Sequence, residues 1–244
     1  MVKKAIIKAG KRAKSLFTRN WKVIGGIFLI FLMAASVFGG VVLSGKTDAA
    51  NDSNDGEHVG TVGGIDVYKV SDNDYYANLG GVEVHFRANP AEAGKIKIDS
   101  RHKLILSTVM AGPNHFDILS GKKFEKTYIL LEPDTNATSR VTVAAAEIST
   151  ALGANGWVPE VAFTKEPSQK VDAKIMNVSY IQKLDEAAVV FYFSTSEGIP
   201  GNTSISSFYT EESKGVALFI VGKDLDSLDL AAVAVKMFLL GWTD

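Results

Sequence analysis

Cysteine is absent from the 244 residues, which removes disulfides, thiolate metal ligands and thiol catalysis together. Histidine is confined to His58, His85, His102 and His115. None of these stands at i+2 or i+4 from another, so no strand or helix presents a paired metal ligand. The lack of histidine after His115 also leaves the Gly- and Ser-rich stretch 198–207 (GIPGNTSISS) without a base, and it contains no G-x-S-x-G. Gly63-Gly64 and Gly80-Gly81 read as turn glycines, because they lack the spacing of a phosphate loop or a dinucleotide fingerprint. Asp72-Asn73-Asp74 with Glu83 has the outline of a calcium loop, yet Tyr76 occupies its fifth place and Ala77 replaces the glycine of its sixth. The sequence therefore assigns no catalytic, cofactor-binding or metal-binding residue.

Acidic residues are missing from the first 44 positions, which hold eight Lys or Arg. Taking those eight from the total of 26 leaves 18 basic against 27 acidic residues after Ser44. A net charge of -1 thus hides a strongly basic tail and an acidic remainder. An acidic domain repels a phosphate backbone, which excludes nucleic acid as its partner.

Charge is also missing from Val23 to Ser44, the run VIGGIFLIFLMAASVFGGVVLS. As a helix, these residues reach roughly 33 Å, enough for a hydrocarbon core of about 30 Å. Trp21 and Lys22 stand where an interfacial ring and a snorkelling cation belong. The positive-inside rule puts residues 1–22 in the cytoplasm and the C-terminal domain outside. The apolar run is longer than that of a cleaved signal peptide, and Thr47-Asp48-Ala49-Ala50 is a poor cleavage site. The expected organisation is a basic cytoplasmic tail (1–22), a transmembrane helix (23–44), a polar flexible linker (45–57) and an extracytoplasmic domain (58–244).

Within that domain, alternating or β-branched runs predict strands at Ile65–Val70, Val82–Arg87, Lys95–Ile98 and Leu104–Val109, the first two forming a hairpin. Further strands are predicted at Thr127–Leu131, Pro159–Thr164, Val171–Met176, Ala187–Thr195, Thr203–Tyr209 and Ala217–Val221. The run Ala187–Phe193 (AAVVFYF) is apolar on both faces and predicts a central buried strand. Helices are predicted at Val141–Leu152, closed by Gly153, and at Leu228–Leu240, closed by Gly241. The second helix is apolar nearly all round, which requires cover on more than one side. Each helix follows a strand and an aspartate (Asp134, Asp224) and precedes a tryptophan (Trp157, Trp242), the pattern of a duplicated strand–helix unit. The expected fold class is α/β (α+β), a mixed sheet covered by two principal helices.

Asp134 and Asp224 fall where α/β folds place functional carboxylates, and equally where helix caps and loop acids occur. Four N-x-S/T sequons begin at Asn51, Asn136, Asn177 and Asn202 among eleven asparagines. Chance would give about one and a half, so they point to N-glycosylation outside the cytoplasm. The segments Phe86–Pro90 (FRANP), Val143–Glu147 (VAAAE), Ala162–Thr164 (AFT) and Gly222–Gly241 resemble parts of uncharacterised membrane-anchored extracytoplasmic proteins of archaea. That resemblance implies a source and a topology, and no activity.

These features predict a cell-envelope binding or scaffold module that meets the lipid bilayer through residues 23–44 and an envelope protein or glycan through its outer domain. The alternative from another class is a carboxylate-dependent envelope hydrolase built on Asp134 and Asp224.

Overall fold

Two Gly-Gly pairs set the first part of the chain. Gly63, Gly64, Gly80 and Gly81 all have positive φ, as a two-residue hairpin turn that follows strand twist demands. They join β1 (Glu57–Val62) to β2 (Ile65–Ser71) and β3 (Asp74–Leu79) to β4 (Val82–Phe86). The result is a four-stranded antiparallel meander in sequence order. The predicted hairpin between 65–70 and 82–87 is corrected here, because β3 (DYYANL) lies between them and pairs with both. The computed structural model describes residues 56–242 apart from 118–120, 135–137, 170, 178–183, 196–202, 209 and 211. The tail 1–22, the apolar span 23–44, the linker to residue 55 and the sequons at Asn51, Asn136 and Asn202 lie outside the described residues. Among the described residues, no helix is long and apolar enough to cross a membrane.

After the meander come α1 (Pro90–Ala93) and α2 (Ser100–Met110). This corrects the strands predicted at 95–98 and 104–109. Asp99 caps α2 by accepting from the Arg101 N–H at 2.8 Å, and Ile105, Leu106 and Val109 face the core at helical spacing. Ile96 and Ile98 pack on the core from a connecting loop with no strand partner. A short ribbon follows, β5 (Phe116–Asp117) with β6 (Lys122–Lys123).

The remaining elements are β7 (Lys126–Leu131), α3 (Thr138–Ala154), β8 (Glu160–Phe163), β9 (Lys174–Ile175), β10 (Ala188–Thr195), β11 (Ser204–Phe208), β12 (Val216–Gly222) and α4 (Leu225–Leu239). Their sheet runs β11-β12-β10-β7-β8-β9, parallel except for the β11–β12 pair. The mixed α/β class expected from the sequence holds: an antiparallel and a mixed sheet with four helices among the described residues. As predicted, β10 is central and apolar on both faces. Val189, Phe191 and Phe193 enter one core, and Ala188 and Val190 enter another behind the sheet.

The larger core joins both sheets. Val67, Ala77 and Phe86 of the meander share it with α3, α4 and the inner face of the six-stranded sheet. The two long helices are thus covered by a sheet on either side. Enclosure of this kind explains why α4 is apolar nearly all round, with every residue from Ala231 to Leu239 buried. The helices close alike: the Trp157 N–H donates to the Leu152 carbonyl at 3.0 Å and the Trp242 N–H to the Met237 carbonyl at 2.8 Å. The turn of α3 that takes positive φ is at Gly156 and not at the expected Gly153. Both indoles then tie distant elements together, Trp157 Nε1 donating to the Val109 carbonyl and Trp242 Nε1 to that of Val62.

Candidate functional site

The inner face of the meander is core, so its alternate residues face solvent. In the paired register His58 stands opposite Tyr68, Tyr68 opposite Tyr76, and Tyr76 opposite His85. Four rings therefore form one row across all four strands. Successive centroids are 5.6, 5.2 and 6.1 Å apart, edge-on between His58 and Tyr68, stacked between the tyrosines and tilted between Tyr76 and His85. Both terminal imidazoles are about half exposed, at 52%.

Carboxylates flank the row. His58 Nε2 lies 3.3 Å from Asp66, whose carboxylate also accepts from Thr61 Oγ1 at 2.8 Å. His85 lies between two acids, Nδ1 at 2.9 Å from Asp74 and Nε2 at 2.8 Å from Glu83. Partial burial pulls the His85 pKa down, but the hydrogen bonds and charges of Asp74 and Glu83 outweigh it, so the net shift is upward. Asp66 is held below its ordinary value, first by the Thr61 hydroxyl and, against some desolvation, by His58.

A buried ion pair fixes the strand that carries His85. Lys236 of α4 donates to Glu147 of α3 at 2.5 Å and to the His85 carbonyl at 2.6 Å, with its ammonium 4.8 Å from the centre of the Phe86 ring. The other Glu147 oxygen accepts from the Arg87 N–H at 3.1 Å. Both charged side chains are about nine-tenths buried, so every hydrogen bond in this group matters. The sequence analysis missed this pair, whose members lie 89 residues apart in the chain.

The two aspartates singled out in the sequence stand apart. Asp224 caps α4, accepting from the Ser227 N–H at 2.8 Å, and that hydrogen bond lowers its pKa. Asp134, with φ of 59°, accepts from the Ser168 N–H at 2.8 Å. Strand β10 separates β7 from β12, which sets the ends of those strands about 10 Å apart. Among the described residues, no three His, Asp or Glu side chains gather as a metal site. Asn177 is exposed just beyond β9.

Two other polar groups are closed within themselves. Tyr128, Lys174 and Glu186 bond to one another over the rear core, with the Lys174 ammonium 4.4 Å from the Tyr128 ring centre. Arg140 bridges Asp226 and Asp229 at 2.7 and 2.6 Å beside a pocket of about 40 Å³, room for a water molecule or two. The ring row is the open one. No family model, curated protein or solved structure matches the chain, so its role is argued from its own residues.

Proposed function

We propose that the protein is a membrane-tethered, extracytoplasmic binding module whose recognition face is the ring row of the meander, and that its ligand is a polyhydroxylated envelope polymer. The observation carrying this reading is the in-register row His58–Tyr68–Tyr76–His85 on the solvent side of a sheet whose other side is core. Aromatic and β-sheet neighbours also stabilise a sheet by cross-strand contact, by about 0.2–1 kcal/mol a pair. Acids also stand beside each terminal imidazole on this exposed face. Rings contribute apolar contact, while carboxylates and imidazoles accept and donate hydrogen bonds to hydroxyl groups. The acidic excess after Ser44 disfavours a polyanion, leaving a neutral glycan as the best fit.

The tether follows from the apolar run at residues 23–44 and the basic residues before it, which place the domain outside the cell. The two helices that end alike in Gly-Trp support descent of β7–α3 and β12–α4 from one duplicated unit.

Retention of the full-length chain on immobilised neutral envelope polysaccharide tests the reading. Replacing Tyr68 and Tyr76 by Ala should weaken retention about tenfold or more, as loss of buried ring contacts does at other interfaces. Equal retention of wild type and variant, or no retention of either, sinks the proposal. The topology is tested separately: protease added to spheroplasts should digest the domain and spare the basic tail.

A further inference from the structure

We infer that the protein carries a second binding site, independent of the ring row: a cleft that takes the hydrocarbon chain of an uncharged amphiphile. It encloses about 500 Å³, inside the range of small-ligand sites. It opens between the end of β1, the α1–α2 connection, the first turn of α2 and the last turns of α4.

Its floor is Ala93, Ala234, Met237 and Trp242, all buried. Trp242 Nε1 donates to the Val62 carbonyl at 2.9 Å. The Met237 carbonyl accepts from the Trp242 N–H at 2.8 Å, and the Ala93 carbonyl from the Ile96 N–H at 2.9 Å. A polar group pushed against these atoms would give up its water for partners already engaged, so the floor selects hydrocarbon. Val62, Ile96 and Ile98 extend the same surface up the walls.

The charges of the cleft, Lys97, Asp99 and Lys103, are of both signs. Lys97 and Asp99 are exposed. The Asp99 carboxylate accepts from the Arg101 N–H and caps α2, and Lys103 has an interaction of its own. A charged head of either sign would gain there no more than the small energy of a surface pair and would give up hydration for it. Affinity is therefore set by the chain, and an uncharged head fits best.

Gly94 keeps the volume open. Its backbone, φ -61° and ψ -17°, is one any residue adopts. A Cβ there would meet the Pro90 carbonyl at 3.4 Å, Val62 Cγ1 at 3.5 Å and Met237 Cε at 3.9 Å, all ordinary contact distances. Glycine is thus unnecessary for the chain path, and a larger side chain at this place would occupy the cleft.

The test uses the full-length chain in nanodiscs, labelled with 5-fluorotryptophan, with the Trp242 resonance assigned by Trp242→Phe. Octanol should shift that resonance saturably and leave Trp157 unmoved. From pentanol to octanol, affinity referred to the free aqueous alcohol should rise about fourfold with each methylene. Octyl phosphate and octylamine, below their micelle concentrations, should bind no more tightly than octanol. Gly94→Leu should abolish the octanol shift while the Trp157 resonance keeps its wild-type position. Where that variant disturbs Trp157, Gly94→Ala takes its place and should weaken octanol by the worth of one methylene, about fourfold. An unmoved Trp242, an affinity indifferent to chain length, a charged compound binding more tightly than octanol, or full octanol binding in the folded Gly94 variant overturns the proposal. A bilayer chain or a segment of the protein lodged in the cleft would show as a Trp242 resonance that octanol does not shift, which also overturns it.

Discussion

The two sheets of this molecule use opposite arrangements of the same chemistry. The six-stranded sheet has buried cores on both faces, with α3 and α4 in front and with Met176 and Leu184 packed behind. Its central strands are accordingly apolar without alternation. The four-stranded meander gives one face to the core and alternates along its middle, Val67 buried beside Tyr68 and Ala77 beside Tyr76, with register shifts in β1–β2 and β2–β3. On the proposed function the difference divides the work: the covered sheet holds the stability, and the half-covered one carries the recognition face. Lys236 and Glu147 join the two, because their ion pair is bonded to the backbone of β4 on one side and built from α3 and α4 on the other.

The largest test of that division replaces Phe191, fully buried in β10, by Ala. The cavity should cost about 3–5 kcal/mol in urea unfolding, whereas Tyr68→Ala on the open face should cost about 1 kcal/mol or less. Comparable losses would mean that the ring row is a stability element first.

Next in size is the joint between the sheets. Lys236→Ala leaves Glu147 charged and buried, and should lower stability by about 3 kcal/mol or more. Replacing the pair together, Lys236→Met with Glu147→Leu, should recover most of that loss. The double variant should nevertheless loosen β4, seen as faster amide exchange at Arg87, because the Glu147 acceptor of that N–H is gone. Unchanged exchange would show that the meander is held by apolar contact alone.

The smallest effect is the pH dependence of the open face. His85 has its pKa raised by Asp74 and Glu83 against desolvation, so its protonated form stabilises the fold. That contribution is complete below the ordinary histidine value of 6.5 and is lost as pH rises through the raised one. Relative to His85→Gln, the wild type should therefore lose stability between about pH 6 and 8. The lowered carboxylates Asp66 and Asp224 act only in acid and do not overlap this window. A difference between the two proteins that stays constant with pH would remove the acids from the account of His85.

Much of the covered sheet was legible. Strands β7, β8, β10 and β12 and helices α3 and α4 lie close to the residues predicted for them, because long apolar runs with caps and turns carry a local signal. The cover on both sides of α4 was legible for the same reason. The misreadings fall where local pattern and packing disagree. Leu104–Val109 (LILSTV) has the look of a strand, and becomes helix because Asp99 caps it and α4 offers a surface to pack on. Lys95–Ile98 alternates like a strand but has no strand beside it. β3 is rich in polar residues and is a strand because β2 and β4 pair with it.

A trace of the ring row was present, since Tyr76 and His85 stand four residues either side of Gly80-Gly81 and a two-residue hairpin sets such positions opposite each other. Completing the row required the registers of β1 with β2 and of β2 with β3, each shifted by an irregularity. The sequence alone decided which segments are apolar enough to be buried and which turns reverse the chain, because composition and short-range periodicity suffice for both. Only the tertiary structure decided that His58 and His85 end one row, that Lys236 meets Glu147 across 89 residues, and that a cleft remains beside Gly94. Each of these depends on strand register and helix packing, in which residues far apart in the chain become neighbours through the sum of many weak contacts and not through any local pattern.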